Sequence, residues 1–138
     1  MATMRTLFAA LLATVALAAA APVLAHHSLA AQFDEGQPVT LNGVITKVEW
    51  VNPHVYLHVD AVDQAGKVSA WEVETFPPTT LRRGGLTKET LGLGQKVTLL
   101  AFKARNGSPL AFLRKITFAD GHELVIWLGD AEQASKVK

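Results

Sequence analysis

The chain has five histidines in 138 residues, and two of them, His26 and His27, are adjacent. They follow an alanine-rich apolar run that ends Pro22-Val23-Leu24-Ala25, whose last three residues form a small-residue cleavage site of the A-x-A kind. Cleavage after Ala25 makes His26 the N-terminus, and a terminal histidine binds a metal through both its amine and its ring. A second imidazole then completes a nitrogen-rich set that suits Cu(II) first and Zn(II) second. The expected ligands are His26, His27 and His54, with His54 presented just beyond the Asn52-Pro53 turn where the N-terminal segment folds back. Imidazole and amine bind in their neutral forms, so such a site empties as the pH falls below about 6.5. The plain alternative is an exposed terminus with incidental histidines.

His54 and His58 share a strand face, but four residues of strand separate them by roughly 13 Å, too far for one ion. Tyr56 stands between them. With Asp60 on the same strand and Glu72 and Glu74 on the next, they form a polar face for a ligand or partner, flanked by Trp50 and Arg82. An ordinary solvated sheet face is the competing reading. Trp50, Trp71 and Trp127 are expected in the core or at a barrel end, the alternative being an aromatic platform for a planar ligand. Glu72 and Glu74 lie roughly 6–7 Å apart by strand geometry, near a glycosidase acid/base separation. No cleft accompanies them, and nucleophile-elbow, P-loop, zinc-protease and dinucleotide motifs are missing. The chain is therefore read as a non-catalytic module. Arg82-Arg83 is a basic pair of the kind that is usually solvated.

These side chains must be carried by strands. Alternation starts at Val39 and Leu41 and changes phase by Val44, Val48 and Trp50, which places a bend or bulge at Gly43. Val55, Leu57, Val59 and Ala61 then point one way, and His54, Tyr56, His58 and Asp60 the other. A loop at Asp63–Lys67 leads to a strand over Val68–Phe76. Pro77-Pro78 ends it, Thr79 caps a short helix, and Gly84-Gly85 stops that helix. A further turn spans Thr87–Leu91. Strands over Lys96–Ala104 and Leu110–Phe118 flank an Asn106-Gly107 hairpin, and Asp120-Gly121 turns into the apolar run Leu124–Leu128.

Five to six strands with one short helix between the third and fourth is the order of an all-β, small OB-fold-like barrel. A small β-sandwich is the alternative. The expected organisation is a cleaved signal peptide at 1–25, an extended segment at 26–38, the barrel at 39–128 and a polar tail at 129–138. A single membrane anchor is the other reading of the apolar run, but Pro22, the alanine content and the cleavage site favour export to the periplasm.

Arg5 is the only charged residue before the cleavage point, and without it acidic and basic side chains balance. That balance excludes nucleic acid in this reading, because a phosphate backbone rewards concentrated Lys and Arg. The expected partners are an exported protein or a small ligand, with no membrane contact once the signal is removed. There is no cysteine, so neither disulfides nor thiolate ligands are available.

His26-His27-Ser28, Glu49-Trp50-Val51-Asn52-Pro53-His54, Trp71-Glu72, Leu81-Arg82-Arg83-Gly84 and Asp120-Gly121 together resemble a bacterial family of small exported proteins, domain-of-unknown-function family 6152. The resemblance spans the chain beyond the cleavage point. It departs at Gly85 and at Gly92-Leu93-Gly94-Gln95, where the family has Trp and a Lys-Pro-Gly-Asp type of turn. It implies export and the same order of elements, and no activity.

Overall fold

The computed structural model describes residues 29–127. The expected signal segment, His26, His27 and the polar tail lie outside the described residues. Helix α1 (Leu29–Gln32) runs directly into β1 (Phe33–Glu49), followed by β2 (Tyr56–Val62), β3 (Val68–Glu74), α2 (Pro78–Arg83), β4 (Lys96–Ala104), β5 (Leu110–Phe118) and β6 (Glu123–Val125). The sheet runs β3-β2-β1-β4-β5-β6, and a parallel contact of Glu72–Glu74 with Leu110–Phe112 joins β3 to β5. β1 to β5 thus close into an OB-like barrel, with β6 added antiparallel on β5. A sandwich lacks this closing contact.

β1 makes closure possible because its two halves serve different neighbours. Phe33–Val44 pairs with β4, while Gly43–Glu49 pairs with β2. Where the halves overlap, neighbouring backbone crowds in: a Cβ on Gly43 would lie 2.3 Å from the carbonyl oxygen of Asp60. Glycine is needed there for close approach rather than for a phase change. Leu41 and Ile45 are both buried on one phase, and the register shift falls between Ile45 and Lys47. The strand also begins six residues before Val39. A second register shift between Asp34 and Pro38 lets it continue through a segment whose glycine and proline suggest a break.

On β2 the expected alternation holds, with Val55, Leu57, Val59 and Ala61 buried in the main core. Pro78 occupies the first turn of α2, where a missing N–H costs nothing, and Pro77 rather than Thr79 is its N-cap. This segment and the loop after it deliver Leu81, Leu86 and Leu91 to the core. The stretch over Thr87–Leu91 forms the expected turn.

A second cluster joins Phe33, Phe102, Ala104, Phe112 and Trp127, with Leu29, Phe76 and Leu110 packed against it. Alternation along β4 turns Leu99 and Ala101 to the main core and Phe102 to this second one, while the β4–β5 register shift falls on β5 at Arg114 and lets Leu113 and Ile116, three residues apart, both face the main core. Its rings meet edge to face: Trp127 lies 5.2 Å from Phe112 and 5.5 Å from Phe102, and Phe76 lies 5.1 Å from Phe112. Such aromatic pairs add about 0.5–1.5 kcal/mol beyond their area burial.

Candidate functional site

Strand pairing sets Lys47 opposite His58 and Glu49 opposite Tyr56 on β1 and β2. It sets Tyr56 opposite Glu74 and His58 opposite Glu72 on β2 and β3. Directly opposed residues share a face, so Glu49, Tyr56, Glu74 and Phe112 form one row across four strands, outside the barrel. The row starts in solvent at Glu49 and ends at Phe112, beneath the second aromatic cluster. Glu74 stands at the boundary and is buried.

His54 precedes β2, yet its position is fixed. The amide of the next residue, Val55, donates to the carbonyl of Phe76 at 3.3 Å, and the Val55 carbonyl accepts from Thr75 N–H at 2.9 Å. His54 is thereby held beside the end of β3, where its Nδ1 bonds Glu74 Oε1. The Asn52–Pro53 peptide ahead of it is cis. The side chain of Glu74 is only 8% exposed and that of His54 31%, so a part-exposed ring is held by a buried carboxylate.

The second imidazole is held differently. His58 Nε2 lies 2.9 Å from Glu49 Oε1, and the same oxygen bonds Lys47 Nζ. Hydrogen bonds from Lys47, then from His58, hold the Glu49 carboxyl below the usual carboxylate range. Tyr56 lies between the two pairs. Burial first, then the charges of Glu74, Glu72 and Glu49, push its phenol up from 10.0, so it remains a donor across neutral pH.

Of the remaining expected residues, Asp60 and Glu72 are exposed, and Asp60 stands apart from both pairs, opposite Ala70. Arg82 places its guanidinium 5.6 Å from the ring centroid of Trp50, a cation–π contact at the edge of the face. Trp50 and Trp71 pack against the main core, and Trp127 is buried in the second, so none forms an open platform. The Trp50 ring N–H is buried without a partner among the described residues. Arg83 is exposed.

Three further residues are not among those expected from sequence: Glu49 and Lys47, which bond beside His58, and Arg105, which fastens the start of the described chain. Period-two alternation back from the β1–β2 turn places the first two on the histidine face. Arg105 carries no local signal. Its Nε donates to the carbonyl of Ala30 at 2.9 Å, its amide donates to the carbonyl of Gln32 at 2.9 Å, and its guanidinium pairs with Asp34 at 3.4 Å. The chain is thus fastened to the β4–β5 hairpin over Ala30–Asp34.

A cavity of about 420 Å³ borders Gly43, Val62, Val97 and Phe118, and another of about 400 Å³ borders Glu89, Gln95, Asp120 and His122. Neither includes a residue of the histidine face. Among the described residues no group of three or more His, Asp or Glu side chains is placed to hold a metal ion. His54 alone of the expected ligand set lies within them. No helix among the described residues is long and apolar enough to cross a membrane.

Among solved structures, the chain is similar to the mitochondrial single-stranded DNA binding protein Rim1 of S. cerevisiae. The identity is 12%, with 63% of this chain and 94% of that one covered, at a TM-score of 0.47. The exclusion of nucleic acid drawn from charge balance is corrected by this finding. Net charge averages over faces that a partner meets one at a time, so a neutral total excludes no such partner. At that score and identity the likeness assigns no nucleic-acid binding to this chain. No curated protein matches it. The match to a family runs over residues 12–112, so it takes in both histidine pairs, and of the motifs named above only Asp120-Gly121 lies beyond it. The chain belongs to the family of unknown function DUF6152.

Proposed function

We propose that this chain is an exported, periplasmic, non-catalytic metal-binding module. His54 is its fixed imidazole, His26 and His27 supply the other nitrogens, and Cu(II) is preferred over Zn(II). One observation carries the reading: the entry of the chain and His54 converge on the same aromatic cluster. Leu29 packs against that cluster, and so does Phe76, whose carbonyl accepts from the residue next to His54. His27 lies two positions before Leu29, a reach of up to about 7 Å of extended chain. Arg105 supports the reading by anchoring Ala30, Gln32 and Asp34, which follow the two histidines closely in sequence.

The second reading is a partner- or glycan-binding module that uses the row of Tyr56, His58 and Glu72 without metal. The raised Tyr56 phenol, a donor among carboxylates, favours it. The two part in a Cu(II) titration of three proteins: a chain beginning at His26, the same chain with one added N-terminal residue, and His54→Ala. The metal reading expects the first to bind at least about tenfold more tightly than either other, with a raised Tm from binding to the folded state. Equal affinity in all three overturns it. Mass spectrometry of the exported protein checks that the chain begins at His26.

A further inference from the structure

Two imidazoles on this face are held by carboxylates, and they are held through opposite ring nitrogens. Glu74 meets Nδ1 of His54, whereas Glu49 meets Nε2 of His58. A carboxylate accepts, so in a neutral imidazole the nitrogen facing it carries the proton and the other keeps its lone pair. For His54 the free atom is Nε2, at the tip of the ring. For His58 it is Nδ1, beside its own backbone.

The two acceptors differ as well. The side chain of Glu74 is 8% exposed and bonds His54. That of Glu49 is 36% exposed, and Lys47 shares the oxygen that bonds His58. A histidine that donates one N–H to a fixed carboxylate is oriented, locked in one tautomer and made more basic at the other nitrogen.

We propose that Glu74 is a positioning residue: it fixes His54 as the Nδ1–H tautomer and so makes Nε2 the metal-binding atom, while His58, held by its tip, is left out of the site. The inference rests on the metal reading above but makes a claim that is tested without metal.

The experiment is long-range proton–nitrogen NMR of the ring nitrogens in the metal-free chain beginning at His26, at about pH 8 where histidine is ordinarily neutral, followed by Cu(II) titration. The expected result is Nδ1–H for His54 and Nε2–H for His58. Glu74→Gln mixes the His54 tautomers and weakens Cu(II) binding by about 10–100-fold, the usual effect of losing such a partner. Glu74→Asp restores part of both, and Glu49→Gln changes neither. An Nε2–H tautomer for His54 in the unaltered chain overturns the inference whatever the metal does, as does a Glu74→Gln protein with unchanged tautomer and affinity. The expected tautomers with no Cu(II) or Zn(II) bound by the unaltered chain overturn the ligand role and the metal reading, leaving only the ring assignment.

Discussion

Glu49 and Glu74 lie in one row of the sheet with Tyr56 between them, and each holds a histidine, yet their surroundings are opposite. Around Glu49 the face is open to solvent, and Lys47 shares the carboxylate. Around Glu74 the second aromatic cluster covers the row, and His54 is the partner at hand. The same two residue types therefore make two different objects. An exposed, shared pair gains little, because water screens it and long side chains lose entropy to form it. A covered pair costs more to break, because whichever group remains has no water to replace its partner.

Removing the cover tests the comparison most severely. Trp127→Ala deletes the indole that contacts Phe76, Phe102 and Phe112, and should cost about 3–5 kcal/mol in urea unfolding, as aromatic truncations in cores do. A loss below about 1 kcal/mol would mean that the second cluster is not a core. Next, Glu74→Ala leaves His54 Nδ1 without its acceptor and should cost about 1–3 kcal/mol. Glu49→Ala should leave the unfolding midpoint unchanged within error, and equal losses for the two would erase the distinction.

Much of this arrangement is legible in the amino-acid sequence. The bounds of β4 and β5 and the inward set Val55, Leu57, Val59 and Ala61 follow from alternation and turn residues, both local signals. What escapes depends on distant parts of the chain. Glu74 alternates with Val73 and so reads as solvent-facing, but Phe33, Phe102, Phe112 and Trp127 assemble a cover over that end of the row. A glycine inside a strand pattern is an ordinary sign of a bulge, and Gly43 carries that sign. The glycine answers instead to the Asp60 carbonyl, a contact set by the β1–β2 register. Gly36 and Pro38 interrupt the alternation and hide the true start of the first strand at Phe33, because the looped register absorbs both. The position of His54 at the entry to β2 is legible from its place beyond the proline turn. Its carboxylate partner, twenty residues on, is not.

Two smaller effects sharpen the comparison through pH. The Tyr56 phenol is raised in the folded chain, so the folded state holds its proton more tightly than the unfolded state. The resulting stability is complete below pH 10.0 and is lost as the pH climbs through the raised value. Tyr56→Phe should flatten that alkaline loss in thermal melts, and an unchanged slope would contradict the burial of Tyr56 and its crowding by Glu74, Glu72 and Glu49. The Glu49 carboxyl is lowered, so its contribution is present above 4.5 and disappears as the pH falls through the lowered value. Glu49→Gln should slightly reduce the acid-side slope, and added salt should shrink the difference, since the pair is exposed.

Under the proposal, two carboxylate-held histidines on one sheet face have different roles, one binding metal and the other not. The most direct measurement follows the ring resonances of His54 and His58 together while Zn(II), a diamagnetic stand-in for copper, is added to the chain beginning at His26. The His54 ring should shift and saturate with the metal while the His58 ring stays where it was. A shift of His58 alone, or of both rings equally, would contradict it.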